Sequence, residues 1–128
     1  MTTTSAHLAI VDDDQPFAEY LQTLLRSRGY ETSTYDSGDS LLSGLREGAL
    51  PDVVLLDVSL PDTDGFAILE RMRNNQKLSK MPVVMMTGKS EVTDIAKGLS
   101  LGADGYVTKP FKIAGLVSAV KTVLGLDS

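Results

Sequence analysis

The sequence predicts an α/β fold in which a parallel sheet is covered on both faces by helices, and three observations lead there. Short apolar runs alternate with amphipathic stretches along the whole chain. Three of those runs are continuous, as strands buried on both faces of a sheet require. The order strand then helix repeats five times, and right-handed crossovers are the usual way to join such parallel neighbours. No internal repeat, linker or low-complexity segment interrupts the pattern, so residues 1–128 read as one domain.

Taken in order, the first strand is His7 to Val11, closed by Asp12-Asp13. A helix follows with Phe17, Tyr20, Leu21, Leu24 and Leu25 on one face, spaced i, i+3, i+4, i+7 and i+8. Asp14 is placed to cap it, Pro16 sits in its first turn and Gly29 closes it. The second strand is Thr32 to Tyr35, and a weaker helix around Leu41, Leu42 and Leu45 is stopped by Gly48 and Pro51. Val53 to Leu56 form the third strand; the helix after Asp64-Gly65 turns Phe66, Leu69 and Met72 inward. Val83 to Met86 form the fourth strand. The helix between Gly88 and Gly102 has the poorest pattern, with Gly98 inside it. Tyr106-Val107 mark the fifth strand, and Ile113, Leu116, Val117, Val120 and Leu124 define the last helix.

Composition narrows the function classes. The 12 Lys and Arg against 17 Asp and Glu give a net charge of −5, with no basic run to follow a nucleic-acid backbone. With no Cys, disulfide frameworks, thiolate zinc sites and cysteine nucleophiles are excluded. No apolar stretch approaches a membrane span, Met1 to Ser5 lack a signal-peptide pattern, and Thr2 stands where N-myristoylation needs glycine. The expectation is a cytoplasmic domain that binds neither membrane nor nucleic acid.

In such a sheet every strand points its C-terminal end at one edge, and ligands bind on that edge where strand order reverses. The residues at the ends of the runs are Asp12-Asp13, Asp57, Thr87-Gly88 and Thr108-Lys109-Pro110. Each has a plain structural alternative. An Asp at a strand-to-helix turn is often a cap, but Asp12 and Asp13 cannot both cap one helix. Three facing carboxylates repel unless a cation or shared proton intervenes, and Asp57 ends a buried run where a lone charge is costly. Converging carboxylates, a hydroxyl and an ammonium suit Mg²⁺ and a phosphoryl group. A carboxylate is also a competent nucleophile toward phosphorus, with Lys and Thr available to the phosphoryl oxygens.

At these residues the chain resembles the receiver (response-regulator) domains of two-component signalling, the CheY-like superfamily. The resemblance rests on Val11-Asp12-Asp13-Asp14, on Leu56-Asp57-Val58-Ser59-Leu60-Pro61 with Asp64-Gly65, on Met86-Thr87-Gly88, and on Gly102-Ala103-Asp104-Gly105-Tyr106 leading to Lys109-Pro110-Phe111. It implies a doubly wound, flavodoxin-like sheet of order 2-1-3-4-5 with five helices. It also implies that Asp57 accepts a phosphoryl group from a sensor histidine kinase or histidine phosphotransfer protein, or slowly from a small phosphodonor. Asp12, Asp13, Asp57 and the backbone carbonyl of Ser59 would hold Mg²⁺, and Lys109, joined to Pro110 by a cis bond, would bridge to the phosphoryl oxygens. Thr87 and Tyr106 would form a two-state switch, altering the face made by the fourth helix, fifth strand and fifth helix, where an effector protein or domain would dock. The weak helix around Gly98 would be cheap to move; equal amide exchange across residues 90–101 with and without a phosphoryl mimic would refute that. Homodimerisation on phosphorylation is compatible with the same face.

Ser59 and Lys89 occupy positions that often tune dephosphorylation, and Gly115 stands where an acidic residue is frequent. His7, the one histidine, reads as structural, and Met81, Met85 and Met86 read as core. Asp62-Thr63-Asp64-Gly65 lacks calcium-loop spacing and reads as a turn and helix cap. Two other functions compete. A metal-dependent aspartyl-phosphate phosphohydrolase of the haloacid-dehalogenase kind needs an acidic pair after the lysine, where only Asp127 follows, and usually a cap insertion. A degenerate receiver serving as a docking scaffold would not need so intact a site.

Overall fold

Each apolar run becomes a strand and each amphipathic stretch a helix. The computed structural model describes residues 6–48, 50–88 and 92–125, and of 92–94 only the backbone. In order these are β1 (His7–Val11), α1 (Gln15–Ser27), β2 (Glu31–Tyr35), α2 (Gly38–Glu47), β3 (Val53–Asp57), α3 (Gly65–Arg73), β4 (Val83–Thr87), α4 (Val92–Ser100), β5 (Gly105–Thr108) and α5 (Ile113–Val123). The strands form one parallel sheet of order β2-β1-β3-β4-β5, as the resemblance implied. Central β3 and β4 are buried along their whole length, whereas edge strand β2 is half exposed.

Alternation along the strands divides the core in two. Leu8, Ile10, Val53, Leu55, Val84 and Met86 pack against Ala18, Leu21 and Leu25 of α1 and Leu116, Val117 and Val120 of α5. Ala9, Val11, Val54, Leu56, Val83 and Met85 face Leu41 and Leu45 of α2 and Phe66, Leu69 and Met72 of α3. Met81, Met85 and Met86 are core residues. The His7 ring pairs with the Ser33 hydroxyl across β1 and β2 at 2.6 Å, a structural contact. Tyr20 corrects the expected inward face of α1: it is 60% exposed, because the helix centres on Ala18, Leu21 and Leu25 and leaves Tyr20 at the rim.

The helix ends follow local chemistry. Asp14 and Asp64 cap α1 and α3 through Phe17 N–H and Ala67 N–H. Ser37 and Ser40 cap α2 reciprocally. Gly29, at φ +92°, carries the turn out of α1. The segment before β5 is held by Arg73, which donates to the Gly102 and Met81 carbonyls at 2.9 Å and to the Asp104 carboxylate at 3.0 Å. Asp104 in turn accepts from Val83 N–H at 2.8 Å. Gly98 is buried in α4; a Cβ there would meet Met85 and Phe66 at ordinary contact distance, 3.6 Å. Among the described residues no helix is long and apolar enough to cross a membrane.

Candidate phosphoryl and metal site

Strand order reverses between β1, which connects to β2 on one side, and β3 on the other. The crevice at their C-terminal ends is where such sheets bind ligands. Asp12 and Asp13 follow β1, while Asp57 is the last residue of β3, in register with Met86. The strands run one residue further than the apolar runs themselves: pairing continues through Asp57 and through Thr87, opposite Thr108. Asp57 and Thr87 are therefore held by the sheet itself, not by loops.

One carboxylate oxygen from each of Asp12, Asp13 and Asp57 lies within 4.8 Å of the others. Asp12 and Asp57 are buried and Asp13 is open to solvent. Lys109 reaches in from the end of β5, its Nζ 2.7 Å from Asp12 and 3.5 Å from Asp57. The Lys109–Pro110 bond is cis. Asp12 is doubly engaged, its other oxygen accepting from Asp14 N–H at 2.9 Å. Burial pushes the Asp57 carboxyl up to about 6, the Asp12 charge adds to this, and Lys109 and the Ser59 N–H oppose it.

The donor set fits a hard divalent cation: three carboxylates on one crevice, one facing water, with no thiolate or imidazole among them. A cation there would relieve the mutual repulsion that Lys109 relieves only in part.

Thr87 is buried at the end of β4 and lines a small cavity with Met85, Phe66, Ile95, Gly98 and Tyr106. Its volume is about 10 Å³, room for a single water. Tyr106 lies at the mouth, 43% exposed. Lys89 lies outside the described residues.

Three further contacts carry no signal in local sequence. The Phe17 ring lies 4.5 Å from Lys109 Nζ and packs edge-on against Phe111, restricting the ammonium to the carboxylate side. Asp62 reaches back across 24 residues to accept from Gly38 N–H at 3.0 Å and Asp39 N–H at 2.9 Å. These bonds hold its carboxyl below the usual range. Gly65 sits so close to the Asp57 carbonyl that any Cβ would overlap it. Glycine at that position was legible in the motif, but the approach that demands it was not.

Residues 8–121 match the family described as the response regulator receiver domain. Regulatory protein VanRc of Enterococcus gallinarum is 41% identical over 120 residues, covering 94% of this chain and 50% of that protein. The DNA-binding response regulator MtrA of Mycolicibacterium smegmatis is 40% identical over 124 residues, 97% of this chain and 53% of that one. The chain thus spans about half the length of these curated relatives. Among solved structures, chemotaxis response regulator CheY4 of Vibrio cholerae superimposes with a TM-score of 0.87 at 28% identity, covering 94% of this chain and all, 100%, of that one. These likenesses do not favour the phosphohydrolase reading. With the acidic crevice, the doubly wound sheet and a match over nearly its whole length, the chain belongs to the response regulator receiver domain family of two-component signalling.

Proposed function

We propose that residues 1–128 act as one receiver domain whose Asp57 is the phosphoryl acceptor, and that Lys109, Thr87 and the acidic crevice perform the transfer. The observation that carries this reading is the meeting of Asp12, Asp13, Asp57 and Lys109 at the switch point of the sheet. An Oδ of Asp57 attacks the phosphorus of a phosphohistidine on a sensor kinase or phosphotransfer protein. The new P–O bond forms as the P–N bond breaks, and the electron pair stays on the imidazole nitrogen. No general base is needed, since a carboxyl raised to about 6 is mostly ionised at neutral pH. Mg²⁺, held by Asp12, Asp13, Asp57 and the Ser59 carbonyl, would supply positive charge to offset the incoming phosphoryl oxygens. Lys109 turns its ammonium from Asp57 toward those oxygens, and the Thr87 hydroxyl donates to them. The chain acts chemically on itself alone, with no turnover of outside phosphate esters.

Movement of Thr87 toward the phosphoryl group vacates space beside the cavity. A cavity of about 10 Å³ cannot take the Tyr106 ring, so inward rotation needs both that vacancy and a shift of α4. Packing at Gly98, with no side chain to interlock, lowers the resistance to that shift. The α4–β5–α5 face would then present a different surface to an effector protein or domain, or to a second copy of the chain. A cytoplasmic location suits a partner kinase's phosphohistidine.

The test is an intact-mass measurement after incubation with Mg²⁺ and a small acyl-phosphate donor. A Mg²⁺-dependent gain of one phosphoryl group in the wild type, absent from Asp57→Asn, is expected. Steady release of phosphate from esters would restore the phosphohydrolase reading; no adduct, even with a kinase, would indicate a scaffold.

A further inference from the structure

We propose that the groove between the C-terminal ends of α2 and α3 docks an acidic segment of a partner protein, one apolar side chain flanked by carboxylates. The groove has a volume of about 200 Å³ and an apolar floor of Leu42, Leu45 and Leu78. Its rim carries Arg46, Arg71 and Lys77, with Asn75 between them. That volume is below the roughly 300–1,000 Å³ of pockets enclosing drug-sized ligands, and suits one or two side chains.

The charge pattern selects the occupant. The chain as a whole carries −5, yet three cations converge here, and none of them forms an ion pair among the described residues. Glu47 and Glu70 adjoin Arg46 and Arg71 in sequence, but consecutive helix residues do not face each other. Leu42, Leu45 and Arg46 follow i, i+3, i+4 spacing, which puts floor and rim on one side of α2. The Asn75 side-chain oxygen Oδ1 accepts from Lys77 N–H and Leu78 N–H, which leaves its side-chain NH₂ as a donor to a carboxylate. Arg46 and Arg71 in the last helical turns also offset the helix dipoles, a role that requires neither Lys77 nor an apolar floor. Acidic-motif recognition by clustered cations over an apolar anchor accounts for all of these features.

The location keeps this site apart from the chemistry. In a parallel sheet with crossover helices the helix C-termini lie at the edge opposite the strand C-termini. A segment held by α2 and α3 therefore leaves Asp57 and the α4–β5–α5 face open. The proposal does not rest on the phosphoryl reading, and Asp57→Asn should bind equally well.

The experiment titrates the isotopically labelled chain with a synthetic peptide of about twelve residues, one central Leu between Asp-Glu pairs. Two control peptides replace the acids with Asn and Gln, or the Leu with Ser. Amide shifts confined to Leu42, Leu45, Arg46, Arg71, Asn75, Lys77 and Leu78 are expected. At low salt the acidic peptide should bind at least about tenfold more tightly than either control, with the preference falling as salt rises. The combined Arg46→Glu, Arg71→Glu, Lys77→Glu variant should lose binding, and Lys77→Glu alone, outside both helices, should weaken it without disturbing the fold. No binding, shifts on another face, equal binding of the neutral peptide, or full affinity in Lys77→Glu would each overturn the proposal.

Discussion

Replacing Asp57 by Asn should make the metal-free protein more stable at neutral pH, although it removes the proposed phosphoryl acceptor. The carboxyl is raised from an unfolded value of 3.8 to about 6, chiefly by burial and then by Asp12. A group whose folded value is raised contributes stability below its unfolded value and loses it as pH climbs through the folded one. A rise of about two pKa units corresponds to about 3 kcal/mol, lost between roughly pH 4 and pH 6. Asn cannot ionise, so it escapes this loss; it forfeits the carboxylate charge toward Lys109 at 3.5 Å and the Ser59 N–H, while Lys109 keeps its closer partner Asp12 at 2.7 Å. Urea denaturation followed by circular dichroism, in EDTA from pH 4 to pH 8, measures the difference and cancels titrations common to both proteins. The curves should nearly coincide at pH 4 and separate to as much as about 3 kcal/mol at pH 7, or about 10 °C in Tm for a chain of this size. Mg²⁺ at about 100 times its Kd should return about 2.7 kcal/mol to the wild type. Parallel pH profiles, or Asp57→Asn less stable than wild type at pH 8, would refute the account of a carboxylate held charged against burial.

Three other outcomes follow from the contacts around the crevice. Lys109→Ala strips the cation from two buried carboxylates. It should cost about 1–3 kcal/mol in urea denaturation and slow the appearance of the phosphoryl adduct by about 100-fold. Gly65→Ala drives a Cβ into the Asp57 backbone, so denaturation should register a loss of about 1–3 kcal/mol and Mg²⁺ titration a weaker affinity. Asp62→Ala frees the Gly38 and Asp39 amides, and hydrogen exchange there should accelerate while that of α5 stays unchanged.

Much of the architecture was legible because the signals are local. Continuous apolar runs at Val53 to Leu56 and Val83 to Met86 announce buried parallel strands, and Asp14, Asp64 and Gly29 mark helix ends by chemistry confined to a few residues. Tyr20 departs from the expected inward face because periodicity locates a stripe but not its centre, which depends on where the sheet lies. Asp57 and Thr87 close β3 and β4, as their place at the ends of the apolar runs indicates, because a polar side chain ends an apolar run without ending backbone pairing.

Spacing along the chain is enough to give the order of elements, the two-sided burial of the sheet and the residue types at the C-terminal edge of its strands. Packing alone sets Lys109 closer to Asp12 than to Asp57, lays Phe17 beside it, and brings Asp62 onto Gly38 N–H, 24 residues earlier at the start of α2. It also decided that the Asp57 carboxyl rises to about 6 and that three cations rim an apolar groove. Each of these depends on desolvation and on charges brought together from distant segments. Those energies arise only when packing excludes water and sets the distances, and no local pattern records them.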